Sequence, residues 1–147
     1  MRFDYQGLKR GSSGDRAQDG ALSLQGVQVL VVDDEEPIRK LVCLMLESGG
    51  CQARGASGGN EALAKLGDHG HELDAVILDL TMPEMNGVQV YQAMQNLSWQ
   101  GPVVLLSGSP KYETLRQHPH LGHLPYVEKP FTRKELLTAL EGALRSR

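Results

Sequence analysis

VLVVDDEEPIRKLV, residues 29 to 42, sets four carboxylates in a row directly behind a run of aliphatic residues. The aliphatic run belongs to VQVLVV, residues 27 to 32, which reads as a buried strand, and the residues after the acids carry helical period. In PIRKLVCLMLESGG, Ile38, Leu41, Val42 and Met45 repeat at i, i+3, i+4 and i+7, with Pro37 at the start and Gly49 and Gly50 at the end. The unit is strand, acidic turn, helix.

That unit recurs along the chain. Further strands are expected at CQARGA (51 to 56), DAVILDL (74 to 80), PVVLLS (102 to 107) and LPYVEK (124 to 129). Three of the five strand candidates are nearly continuous apolar runs, as strands covered on both faces should be. Weaker helical patterns occupy residues 58 to 66 and 88 to 97, the second with Val88, Tyr91 and Met94 on one stripe. The last helix is marked by a capping box, Thr132 with Glu135, followed by Leu136, Leu137, Leu140 and Leu144. Residues 109 to 123 contain two prolines and a glycine, which predicts a short and mobile connection. Strands alternating with helices imply a doubly wound α/β fold, a five-stranded parallel sheet with helices on both faces.

Composition narrows the function. A chain of 147 residues with 40% hydrophobic content fits one domain with a real core. Fifteen basic against 18 acidic residues give a net charge of −3, which attracts neither nucleic acid nor anionic lipid. Neither is an expected partner. Cys43 and Cys51 lack CxxC spacing and read as reduced core thiols. No 18-residue apolar run or secretory h-region is present, so a cytoplasmic protein without a membrane span is expected. Residues 1 to 24, rich in Gly, Ser and mixed charge, read as a flexible tail, and residues 25 to 147 as the folded domain.

In a doubly wound fold ligands bind outside the carboxyl ends of the strands, near the switch in strand order. Strand one delivers Asp33 and Asp34 to that edge, strand three Asp79, strand four Ser107 and strand five Lys129. Two acids about 4 Å apart repel by roughly 4 kcal/mol at an effective dielectric near 20. Such a cluster calls for a cation. Hard oxygen donors without His or Cys favour Mg²⁺, with Mn²⁺ as a substitute. The metal, Lys129 and Ser107 could then neutralise a phosphoryl group on Asp79, which is nucleophilic catalysis by a carboxylate. For Asp33 and Asp34 the competing role is helix capping and dipole compensation, which Glu35 and Glu36 also fit. His118, His120 and His123 read as solvated loop histidines.

VLVVDDEEPIRKLV, AVILDLTMPEMNGVQV, VVLLSG and YVEKPF together resemble the signature segments of bacterial response-regulator receiver domains, in order and over residues 27 to 145. The resemblance implies a flavodoxin-like (βα)5 fold with strand order 2-1-3-4-5. It implies that Asp79 is the phosphoacceptor, charged from a phosphohistidine on a histidine kinase or a histidine phosphotransfer protein. Asp33, Asp34 and the backbone carbonyl of Thr81 would hold Mg²⁺ with Asp79. Ser107 would be the switch hydroxyl, Lys129 the cation on the phosphoryl group, and Tyr126 the aromatic that swings inward. The bond before Pro130 would be cis. Thr81 and Ser109 stand where the family tunes dephosphorylation, and neither can orient water as an amide or carboxylate does. A long-lived phosphoryl state is the expectation.

Rival functions meet specific obstacles. A haloacid-dehalogenase-like phosphatase needs an acid where Thr81 stands, and a flavodoxin-like carrier needs a phosphate-cradling loop where DDEE stands. A phosphorylation-independent interaction module typically lacks one of the acids or the lysine. A chain ending at Arg147 is expected to be a stand-alone regulator or phosphorelay intermediate, or a module related to a hybrid histidine kinase. It would signal to an unknown downstream protein through the face of helix four, strand five and helix five, with a phosphorylation-dependent homodimer as one form.

Overall fold

Alternate residues of the central strands point to opposite faces, and both faces are dry. In β1 (Gln28–Val32) and β3 (Ala75–Asp79), Val29, Val31, Ala75 and Ile77 pack on one side. Leu30, Val32, Val76 and Leu78 pack on the other. Each fully buried side chain of this kind contributes roughly 1.5–3 kcal/mol. The computed structural model describes residues 23–82 and 85–146.

β2 (Gln52–Ala56), β4 (Val103–Ser107) and β5 (Tyr126–Glu128) complete a parallel sheet ordered β2-β1-β3-β4-β5, as expected from the resemblance. Order reverses between β1 and β3, so the ends of these two neighbours flank the switch crevice.

One face is covered by α1 (Glu36–Ser48) and α5 (Arg133–Arg145), through Val42, Leu46, Leu136, Leu140, Ala143 and Leu144. The other is covered by α2 (Gly59–His69) and α3 (Gly87–Met94), through Ala62, Leu66, Val90 and Met94. Expected stripes shift slightly in two helices. Leu41 is 45% exposed and Leu46 carries the burial on α1, while Val90 rather than Val88 is the buried valine of α3.

Capping boxes start two of the helices. The Thr132–Glu135 box starts α5 as the spacing predicts, and Asn86 with Gln89 forms a second box at α3. Glu35 occupies the N-cap of α1 without a side-chain cap bond, and Glu36 pairs with Lys40 at 3.0 Å. Gly50 ends the α1 turn at φ +104°, a conformation that favours glycine. Between β4 and β5 the prolines allow only α4 (Lys111–Gln117) and a 3₁₀ turn over Pro119–Leu121.

The expected tail lies, up to residue 22, outside the described residues, and its last expected member, Leu24, is buried in the core at 5% exposure. Cys51 is buried and Cys43 half-buried, and both are free thiols. Among the described residues no helix is long and apolar enough to cross a membrane.

Candidate functional site

The acid pair leaves β1 with its backbone tied down. The Asp33 N–H donates to the Ala56 carbonyl at 3.1 Å, and its Oδ1 accepts from the Glu35 N–H at 2.9 Å. Its Oδ2 is buried and accepts no hydrogen bond. The ammonium of Lys129 lies 3.7 Å from that oxygen, an ion-pair distance too long for a hydrogen bond. Capping and site chemistry are thus divided between the two oxygens of one side chain. Oδ1 closes the turn into α1 and Oδ2 faces the crevice.

Asp79 closes β3 at 1% exposure. Its Oδ1 accepts from Lys129 Nζ at 3.3 Å and from the Thr81 N–H at 3.3 Å. Burial pushes the Asp79 carboxyl up to about 6, helped by the charge of Asp33 and opposed by Lys129 and the Thr81 N–H. Gly87 lets the start of α3 lie against the end of β3, since a Cβ there would collide with the backbone of Asp79 and Leu80.

Asp34 is half-buried and completes the group: one oxygen from each of Asp33, Asp34 and Asp79 lies within 4.8 Å of the others. Three carboxylates against one ammonium leave two negative charges uncompensated when all are ionised. The donors are all hard oxygens, and Asp33 Oδ2 is a buried acceptor without a donor. A small divalent cation fits this set on charge and donor type. The histidines stand apart: His123 Nε2 is 3.3 Å from the Tyr91 hydroxyl, and His118 and His120 lie edge to face.

Comparison with known proteins agrees with this arrangement. The family model described as "Response regulator receiver domain" matches residues 29–141. The Protein PilG of Pseudomonas aeruginosa is 31% identical over 123 residues, covering 82% of this chain and 90% of PilG. The chain belongs to the response regulator receiver domain family.

The solved structure of the Vibrio cholerae chemotaxis protein CheY4 superposes with a TM-score of 0.72 at 31% identity, covering 81% of this chain and 99% of CheY4. Several relatives are longer. The regulatory protein AtoC of Escherichia coli is 30% identical over 118 residues, and this chain spans 25% of its length. Receiver domains act in two-component signalling, between kinases and downstream effectors.

In this receiver domain Ser107 and Tyr126 lie outside the acid cluster. Ser107 ends β4 beside Asp79, whose sheet partner is Leu106, and its buried Oγ accepts from the Ser109 N–H at 3.0 Å. Tyr126 faces α4: its hydroxyl donates to the Ser109 carbonyl at 2.9 Å and lies 2.7 Å from Thr114 Oγ1. Glu128 adds a second tie by accepting from the Lys111 N–H at 2.9 Å. The Lys129–Pro130 bond is cis. Sequence reading misses the Thr114 and Glu128 contacts, because no local pattern links α4 to β5.

Proposed function

We propose that this receiver domain accepts a phosphoryl group on Asp79 from a phosphohistidine of a histidine kinase or histidine phosphotransfer protein in the cytoplasm. The observation that carries the reading is the pair of buried carboxylates, Asp33 and Asp79, partly neutralised by the half-buried Lys129, with one carboxylate oxygen lacking a donor.

Asp33, Asp34, Asp79 and the Thr81 carbonyl are the groups that would hold Mg²⁺, which when bound screens the charge of the incoming phosphate. A carboxylate oxygen of Asp79 attacks phosphorus while the phosphorus–nitrogen bond of the donor breaks. The electron pair stays on the imidazole nitrogen, which regains a proton from solvent. Lys129 lies between Asp33 and Asp79, and its ammonium is the group that would pair with the phosphoryl oxygens.

The signal then leaves through the partners of Ser107 and Tyr126. For the Ser107 hydroxyl to donate to a phosphoryl oxygen it must turn from the Ser109 N–H, and for Tyr126 to move inward it must release Ser109 and Thr114. The surface of α4, β5 and α5 is therefore the output face.

Beryllium fluoride, a phosphoryl mimic, tests both parts when added with Mg²⁺ and followed by amide shifts. We expect changes at Asp79 and Lys129 and also at Ser109, Thr114 and Tyr126, all absent in Asp79→Asn. Shifts confined to the acid cluster would remove the relay, and no binding at all would remove the phosphoacceptor reading.

A further inference from the structure

The turn that presents Asp33 is held by a residue outside the acid cluster. From α1, Arg39 Nη1 donates to the Asp33 carbonyl at 2.8 Å. The Asp33 N–H is taken by Ala56 and Oδ1 by Glu35, so this third bond commits the last backbone group. Only Oδ2 remains without a hydrogen bond, and its direction is set by the three bonds that fix the rest of the residue.

The route of Arg39 to that carbonyl runs across β2. A Cβ built on Gly55 would meet Arg39 Cδ at 3.0 Å, Nε at 3.1 Å and Cγ at 3.3 Å. A glycine inside a strand forfeits packing and backbone entropy, and here the bare α-carbon is the seat of the arginine stem. A guanidinium is planar and presents its donors in a rigid fork, which suits it to hold one carbonyl in a fixed place.

We propose that Arg39, seated on Gly55, is a positioning residue of the metal site: it fixes the Asp33 carbonyl and so aims Oδ2 at Asp79 and a divalent cation. The inference rests on the Mg²⁺-dependent reading above. Arg39 touches neither the metal nor the phosphoryl group, and it acts through the backbone of a ligand. Groups that hold a metal ligand in place typically contribute 10–100-fold to affinity, and a single neutral carbonyl acceptor points to about tenfold.

The experiment is a Mg²⁺ titration by calorimetry, paired with urea unfolding in EDTA, on the wild-type chain, Arg39→Met, Gly55→Val and the double variant. Arg39→Met keeps an apolar stem and removes the guanidinium, and its Kd for Mg²⁺ should rise roughly tenfold. Gly55→Val displaces the arginine while placing a β-branched residue in a strand, so Mg²⁺ affinity should fall by a similar factor with metal-free stability unchanged or higher. The double variant should bind no more weakly than Arg39→Met alone, because both changes remove one interaction.

A merely structural arginine would lower the unfolding midpoint of Arg39→Met and leave the Kd of the folded chain at the wild-type value. That result, or wild-type affinity in Gly55→Val, overturns the proposal while the phosphoacceptor reading stands. If the wild-type chain takes up no Mg²⁺, that reading fails and the role of Arg39 falls with it.

Discussion

Lys129→Met is expected to destabilise the metal-free chain by about 2–4 kcal/mol at a pH of about 8, toward the low end of what removing one partner of a buried ion pair costs. The lysine is the cation near two almost fully buried carboxylates, at 3.3 Å from Asp79 and 3.7 Å from Asp33. Its own side chain is 23% exposed, which lowers the expected loss. Without it Asp33 and Asp79 face one another uncompensated, and the molecule escapes by keeping Asp79 protonated. The loss should therefore shrink as pH falls. Millimolar Mg²⁺ should restore part of it, because a ligand that binds only the folded state adds stability according to its concentration over Kd. Urea unfolding with and without EDTA checks this, and a variant as stable as the wild type in EDTA would show that the acids are not coupled through Lys129.

Asp79→Asn should act in the opposite direction. The Asp79 carboxyl is pushed up from 3.8 to about 6, chiefly by burial and next by Asp33. Between those two values the folded chain holds more protons than the unfolded chain, so stability falls as pH rises. The penalty is absent below the unfolded value and complete above about 6. Two pKa units correspond to about 3 kcal/mol, and relaxation and water entry reduce the expected gain from Asn to about 1–2 kcal/mol at neutral pH. In EDTA the variant should melt above the wild type at neutral pH and match it near pH 4. Saturating Mg²⁺ should narrow or reverse the difference, since the wild type alone has the full ligand set. A variant less stable than the wild type in EDTA would contradict the strained carboxylate.

How far this molecule can be read from its sequence depends on where its information is local. β1, β3 and β4 are legible because a parallel sheet covered on both faces demands nearly unbroken apolar runs, and AVILD and VVLLS meet that demand. The acid site is legible for the complementary reason, since a carboxylate that ends such a run is costly without a partner. β5 was expected over residues 124 to 129 and forms only at Tyr126–Glu128, where the strand lies at the sheet edge and pairs with β4 alone. Leu41 has the right spacing for the core and faces outward, because period alone does not fix the centre of a buried stripe.

Tertiary partners were the hidden part. Arg39 lies six residues after Asp33, yet its role depends on a glycine across the sheet edge. The Tyr126 hydroxyl finds Thr114 and Ser109 only because α4 folds back over β5. Asp33 could not be divided between capping and metal binding from sequence, since the division is by oxygen atom and not by residue.

Intact mass spectrometry after incubation with acetyl phosphate and Mg²⁺ tests the phosphoacceptor site most directly. The wild-type chain should gain the mass of one phosphoryl group, and neither the EDTA-treated chain nor Asp79→Asn should gain any. A wild-type chain that takes up no phosphoryl group, or an Asp79→Asn chain labelled as fully as the wild type, would contradict the assignment of Asp79 as the phosphoacceptor.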